Sequence, residues 1–193
     1  MGTSRMPEVP LAAVTSEMRR KAKMVNYGIA YGISAFGLAQ RLTIPRREAA
    51  VIMEEYFAQF PGIRKFMTDT IAFARKNGYV QTVTGRRRYI RDISSANASV
   101  RGGAERNAIN APIQGSAADM IKIAMVNIHR ELQTRRWQTR MLLQVHDELV
   151  FDLFKPEEKQ VLPLIEELMK SAIPLDVPIV VEMGTGKNWL EAH

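Results

Sequence analysis

The chain contains no cysteine. Disulfides are therefore excluded, as are zinc and iron–sulfur centres built on thiolates, and a chain without thiols suits a reducing compartment. Histidine is nearly as scarce, and His129, His146 and His193 are too scattered to read as a zinc set. No apolar run is long enough to span a bilayer and no signal-peptide pattern is visible, so no membrane partner is expected and a cytoplasmic location is. No internal repeat appears. Gly184-Thr185-Gly186-Lys187 is no phosphate loop, because no glycine-lysine-serine pattern opens a helix after it. What remains is a 193-residue chain of ordinary hydrophobic content, enough for one sizeable domain or two small subdomains.

Acidic residues are the next shortage. Asp and Glu number 20 against 27 Lys and Arg, a net charge of +7. Such a surplus suggests an anionic partner, most often nucleic acid. The placement of the charges sharpens this. Arg19, Lys23, Tyr27 and Tyr31 recur every fourth residue in a helical stretch. Each step of four drifts only ~40°, so they form one spiralling stripe, two cations followed by two aromatic rings. A polyphosphate on the cations would leave its sugar and base beside the rings, with Arg offering a planar fork and Lys a point charge and a transferable proton. The same spacing also suits a solvated basic helix with two tyrosines packed inward.

Around this stripe the chain reads mainly as helices at first. Residues 1–5 look like an expression scar and are set aside. Thr15 or Ser16 can cap the first helix, and Gly28 and Gly32 weaken its end. Further helices are predicted over 34–42 (apolar side Phe36, Leu38, Leu42), 46–60 (Ala49, Ile52, Met53, Tyr56, Phe60) and 63–76, with Pro61-Gly62 as a turn and Asn77-Gly78 as a stop. Two short strands, 79–83 and 88–90, flank a basic turn. Arg86, Arg87 and Arg88, with Arg91 behind them, could grip phosphates or could simply be solvated.

A long helical stretch begins near residue 94 and is expected to break or kink at Pro112, resuming over 116–133. Around the proline, Arg106, Asn110 and Gln114 again run in steps of four. These side chains hydrogen-bond base edges, and a donor stripe in the minor groove could check base-pair shape without reading sequence. Helix capping around the break is the bland alternative. Residues 140–145 and 149–154 then form a hairpin with His146-Asp147-Glu148 at its tip. Hard carboxylate oxygens there suit Mg²⁺, and Asp147, with Glu148 beside it, is the obvious ligand; a turn acid in water is the alternative. His146 is either structural or a contact for a substrate phosphate. A helix over 156–171, a buried strand over 179–183, and Trp189 and Leu190 anchoring the tail complete the reading. Helices first, then helix, hairpin, helix and strand, suit an α+β fold with helices packed on an antiparallel sheet.

In this order the blocks resemble family A DNA polymerases, the bacterial DNA polymerase I family. Arg19-x-x-x-Lys23-x-x-x-Tyr27-Gly28-x-x-Tyr31-Gly32 is similar to their motif B, and Gln144-Val145-His146-Asp147-Glu148-Leu149-Val150 to their motif C. Gly85-Arg86-Arg87-Arg88-Tyr89 and Glu105-Arg106-Asn107-x-x-Asn110-x-Pro112-x-Gln114-Gly115 resemble the stretches between. The resemblance covers nearly everything from Val9 to His193. It implies a scar and lead-in over 1–8, a helical fingers subdomain over 9–93 and the C-terminal part of the palm over 94–193. It implies that Arg19 and Lys23 bind the triphosphate of an incoming dNTP, with Lys23 protonating the leaving pyrophosphate, and that Tyr27 lies against its sugar and base while Tyr31 gates the insertion site. A tyrosine at 27 implies weaker rejection of nucleotides lacking the 3′-hydroxyl. Arg106, Asn110 and Gln114 would contact primer-template DNA, His146 the primer end, and Asp147 and Glu148 the catalytic Mg²⁺.

One departure from the family pattern matters. Nothing here matches motif A, the Asp-Tyr-Ser-type strand that supplies the other metal-bridging aspartate. The chain therefore looks like the C-terminal piece of a longer polymerase, with an incomplete two-metal site and no polymerisation of its own. Its expected partners are primer-template DNA, dNTP and the remainder of the polymerase, and an open palm edge invites self-association. The rival readings are a non-catalytic DNA-binding fragment, a metal-dependent phosphohydrolase built on Asp147 and Glu148, and a structural fragment that binds nothing well.

Overall fold

The computed structural model describes residues 10–192. The scar and lead-in read over residues 1–8 lie outside the described residues. Packing divides the chain into two compact units. The first holds the described residues up to Gln81 together with Gly85–Ile113, and the second holds Thr82–Thr84 and the described residues from Gln114 onward.

In the first unit, α1 (Ser16–Ala30), α2 (Ala35–Leu42), α3 (Arg46–Gln59) and α4 (Pro61–Asn77) precede a hairpin of β1 (Tyr79–Gln81) and β2 (Arg87–Tyr89). Local chemistry sets the boundaries. The Thr15 hydroxyl accepts from the Met18 N–H and the Ser34 hydroxyl from the Gly37 N–H, both at 3.2 Å, satisfying amides that a helix start leaves open. Thr43 (φ 57) and Gly78 (φ 78) turn left-handed to end α2 and α4. Pro61-Gly62, predicted as a turn, is instead the first turn of α4, where a missing proline N–H costs nothing.

Two apolar clusters hold this unit. One joins Ile29, Leu38, Ala39 and Ala49, with Ile33, Ile52, Met53 and Tyr56 packed around them. The other joins Ala74, Val80, Ile90 and Ile93 to Ala104, Ala108 and Ala111. Each fully buried Ile or Leu stabilises by about 1.5–3 kcal/mol, and the alanines let backbones approach closely. Phe36 (57% exposed) and Phe60 (44%), predicted to face the core, do not. The smaller Ala39 is buried on α2 instead.

The helix α5 (Ala98–Thr134) starts where Asn97 Oδ1 accepts from the Ser99 N–H (2.9 Å) and the Val100 N–H (3.3 Å). It carries Pro112 inside rather than stopping there. An interior proline costs about 3 kcal/mol in an isolated helix, and Ala108 and Ala111 beside it are buried in tertiary contacts that favour the helix.

In the second unit the later part of α5, a hairpin of β3 (Arg140–Val145) and β4 (Glu148–Asp152), and α6 (Glu158–Lys170) share a core of Ala124, Ile128, Leu132, Val161 and Ile165. Ala117, placed inward by periodicity, is exposed. Residues 179–183, predicted as a buried strand, are not in a strand, and Val180 is 79% exposed. A strand needs a hydrogen-bonding neighbour, and among the described residues none pairs with this segment. Nor are Trp189 and Leu190 buried anchors. Both are exposed and begin the short α7 (Trp189–Ala192). What seats α7 is glycine: a Cβ at Gly184 would fall 1.9 Å from the Ala192 carbonyl oxygen. The class is α+β as expected, and among the described residues the strands form two separate antiparallel pairs. Among the described residues no helix is long and apolar enough to cross a membrane.

A carboxylate clasp ties the start of β3 to the lead-in of α6. Glu157 accepts from the Gln138 N–H (2.8 Å), the Thr139 N–H (2.9 Å) and the Thr139 hydroxyl (2.7 Å). The buried Thr139 Oγ1 accepts in turn from the Phe154 N–H at 3.1 Å. Burial pushes the Glu157 carboxyl up, but the three hydrogen bonds favour its charged form, and the net shift is downward. A folded-state pKa below the unfolded one contributes stability that is present above about pH 4.3 and lost as pH falls through the folded value. Glu157→Gln is therefore expected to melt below the parent at neutral pH, with the gap closing as pH falls below the ordinary glutamate range. Thermal melts followed by circular dichroism check this; a gap independent of pH would count against the clasp.

Candidate functional site

The α1 stripe is built by the cap at Thr15 and by burial of the opposite face, where Gly28 and Ile29 are buried. Arg19 and Lys23 are exposed, and neither is ion-paired among the described residues. Lys23 Nζ lies 5.7 Å from the centre of the Tyr27 ring. Tyr27 and Tyr31 stack with centroids 6.2 Å apart and planes 11° apart, 53% and 37% exposed. The predicted cation-then-aromatic ridge is thus a physical surface. Tyr31 stands at its end as the C-cap rather than inside the helix. Tyr56 braces the helix by donating to Asn26 Oδ1 at 2.7 Å, and burial raises its pKa, which keeps the hydroxyl a donor.

After α1 the chain turns at Gly32 with φ 77. A Cβ there would meet Arg106 Cγ at 3.3 Å and Ile109 Cδ1 at 3.4 Å. The first unit therefore brings the end of the α1 ridge beside Arg106. Asn110, one helical turn further along α5, is half-buried, and its Oδ1 has no hydrogen-bond partner among the described residues. An unsatisfied buried amide oxygen costs about 1–3 kcal/mol, so Asn110 Oδ1 is open to a hydrogen-bond donor. Gln114 is exposed and belongs to the second unit. Arg86, Arg87 and Arg88 are exposed in the first unit, at and just before β2.

The acidic turn lies in the second unit. Val145 pairs with Glu148, so the tip is the two residues His146-Asp147 and Glu148 belongs to β4. His146 is left-handed at φ 54, and Gln144 Nε2 donates to its carbonyl at 2.7 Å, which fixes the corner. Asp147 projects exposed and Glu148 is half-buried. Two adjacent carboxylates suit Mg²⁺, which takes one or two such ligands and completes its shell with water and substrate phosphate. Among the described residues no group of three His, Asp or Glu could hold a metal ion. Asp147 and Glu148 thus fit part of a donor set.

Two features escaped the sequence reading. Asp119, inward on α5, accepts from the Thr84 hydroxyl at 2.7 Å. Tyr79, Tyr89 and Arg87 cluster on one face of the β1–β2 hairpin. The alternation Tyr-x-Gln and Arg-x-Tyr on the two strands was the available signal for the second.

The family model described as DNA polymerase family A matches residues 1–191. DNA polymerase I of Mycobacterium leprae (strain TN) is 49% identical over 186 residues, covering 96% of this chain and 20% of that protein. DNA polymerase I of Geobacillus stearothermophilus is 50% identical over 179 residues, covering 93% and 20%. A solved structure, the POL domain of Pol1 from M. smegmatis in complex with DNA primer-template and dNTP, superposes with a TM-score of 0.91 at 50% identity, over 95% of this chain and 32% of that one. The chain spans about a fifth of the length of the curated relatives it matches.

Proposed function

Because this chain belongs to DNA polymerase family A, we propose that it supplies the nucleotide-handling helix and one carboxylate corner of a DNA-directed DNA polymerase. The polymerase transfers a deoxynucleotide from dNTP to a primer 3′-hydroxyl in replication and repair synthesis. The observation that carries the reading is the α1 ridge, with exposed Arg19 and Lys23, not ion-paired among the described residues, running into the stacked, solvent-facing rings of Tyr27 and Tyr31. Arg19 forks onto phosphate oxygens of the incoming triphosphate and Lys23 neutralises the adjoining phosphates. Tyr27 lies along the sugar and base, and Tyr31, beside the left-handed Gly32, gates the insertion position.

Arg106, Asn110 and Gln114 meet the minor-groove edge of the primer-template, and the unsatisfied Asn110 oxygen supports a polar partner arriving with the DNA. Arg86, Arg87 and Arg88 contact phosphates, and His146 faces the primer end. Asp147 and Glu148 would hold Mg²⁺, which would lower the pKa of the primer 3′-hydroxyl and stabilise charge on the leaving pyrophosphate. The 3′-hydroxyl gives its proton to water as its oxygen bonds to the α-phosphorus, the bond from that phosphorus to the α,β-bridging oxygen breaks, and Lys23 donates a proton to the departing pyrophosphate.

On this reading residues 9–93 are fingers and 94–193 the C-terminal part of the palm. These labels follow chemistry rather than compactness, since α5 packs with the first unit as far as Ile113. The partners are primer-template DNA, dNTP and the remainder of a cytoplasmic polymerase. Leu142 (59% exposed) and Leu143 (49%) on β3 support an edge that receives further strands, and two copies would associate there if it stayed open.

The experiment is a chimera in which this chain replaces the matching 186 residues of the M. leprae relative. With Mg²⁺ and four dNTPs the chimera is expected to extend a primer, while the 193-residue chain alone is not, for want of the motif A aspartate. A folded chimera that binds primer-template without extending it would sink the assignment. Extension by the chain alone would sink the dependence on motif A.

A further inference from the structure

We propose that the outer face of the β1–β2 hairpin is a stacking platform for unpaired bases of single-stranded DNA, with Tyr89 as the ring that receives a base. The proposal rests on the reading above that this chain works on DNA. It adds a site apart from the α1 ridge.

The geometry comes from register. Tyr79 pairs with Tyr89 and Gln81 with Arg87, so these side chains share one face, while Val80 points into the core from the other. The Tyr79 and Tyr89 rings lie 5.8 Å apart at 63°, Phe73 of α4 meets Tyr79 edge-on at 5.7 Å, and the Arg87 guanidinium sits over Tyr79 at 4.6 Å. Tyr79 is thus held from three sides. Tyr89 is held from one and remains 67% exposed. Tyr89 keeps most of its ring surface in water on a rigid support, so its face is accessible to a base.

The surrounding charge fits a nucleic acid. Between Tyr79 and Arg91 the chain has four arginines and no acidic residue. The Arg87 side chain enters no hydrogen bond or ion pair among the described residues, so its N–H edge can take a phosphate while its plane lies on Tyr79. A π-face plus cations along a groove is the chemistry that binds single strands without reading sequence, and base–aromatic stacking is sequence-tolerant. Duplex DNA keeps its bases stacked inside and gives Tyr89 nothing to stack on. The platform is therefore selective for unpaired strand, such as template not yet copied.

The test uses the full chain with fluorescein-labelled oligothymidylate and a blunt duplex, followed by anisotropy across a salt series. Tyr89→Ala is expected to weaken oligothymidylate binding on the order of tenfold and to leave blunt-duplex binding within about twofold. Tyr89→Phe should restore it, separating the ring from the hydroxyl. Arg87→Ala should lower the salt slope by about one. Tyr89→Trp places a fluorophore on the platform, and quenching of its added emission by saturating oligothymidylate reports the stack directly. The platform is refuted if the parent fails to bind oligothymidylate at low salt, if Tyr89→Ala binds it as the parent does, or if the added tryptophan is not quenched. A polymerase reading that fails shows instead as a chimera that does not extend primers, a readout independent of oligothymidylate affinity.

Discussion

Asp147→Ala in the chimera is expected to lower the rate of primer extension by about a thousandfold or more, with little change in thermal stability. On the proposed function, the size follows from removing a hard oxygen ligand that would hold a metal against the reacting phosphate, a contribution of several kcal/mol to the barrier at about 1.4 kcal/mol per tenfold. The stability half follows from the fold. Asp147 is exposed, and the corner is fixed by its neighbours, through the left-handed His146 and the Gln144 side chain on the His146 carbonyl. Asp147→Asn should fail almost as badly, because a neutral amide oxygen is a poor Mg²⁺ ligand. Asp152→Ala is the control. That residue is an exposed carboxylate on the same hairpin, opposite Arg140 at its far end, and its loss should leave extension within about twofold. Extension rates over a Mg²⁺ titration distinguish the cases. A loss for Asp147→Ala of less than about tenfold, or an equal loss for Asp152→Ala, would remove the metal role from this corner.

The parts of this molecule that could be read in advance are those whose causes are local. Thr15 and Ser34 announce α1 and α2 because a hydroxyl at a helix start satisfies an amide a few residues on, and both do so. The hairpin tip was legible because a short polar stretch between two branched apolar runs leaves a tight turn as the simplest connection. The errors lie where distant partners decide. Pro112 reads as a break or a kink, and α5 runs through it without the break, with Ala108 and Ala111 buried beside it. Residues 179–183 read as a strand because they are apolar and branched, but being a strand is a relation between two segments, and no described segment pairs with them. Phe36, Phe60 and Leu190 read as core because they are large and apolar, though apolar residues commonly remain on a surface. The candidate site divides the same way. The order of Arg19, Lys23, Tyr27 and Tyr31 sits in the spacing, whereas the seating of Gly32 against Arg106 and the bracing of Tyr89 by Tyr79 are contacts between separate elements.

Lys23→Ala should cost between about a hundredfold and ten-thousandfold in the rate of nucleotide transfer, the range spanned by general-acid groups, and more than Arg19→Ala costs. The two side chains share the ridge but differ in chemistry. On the proposed function Arg19 binds phosphate, and a guanidinium cannot give up a proton, so its removal is expected mainly to raise the KM for dNTP. Lys23 lies nearer the aromatic end, with Nζ 5.7 Å from the Tyr27 ring centre, where it can both hold the phosphates and protonate the leaving group. Lys23→Arg separates these roles, because it keeps the charge without a transferable proton. It should recover dNTP affinity and little of the rate. Nucleotides whose β,γ-bridging oxygen is replaced by a fluorinated carbon release a less basic leaving group, which needs less help from an acid. With these substrates the gap between parent and Lys23→Ala should narrow. Single-turnover incorporation by the chimera and its variants measures both quantities. A gap unchanged across leaving groups of different basicity would leave Lys23 as a phosphate clamp alone, and full rate recovery by Lys23→Arg would lead to the same conclusion.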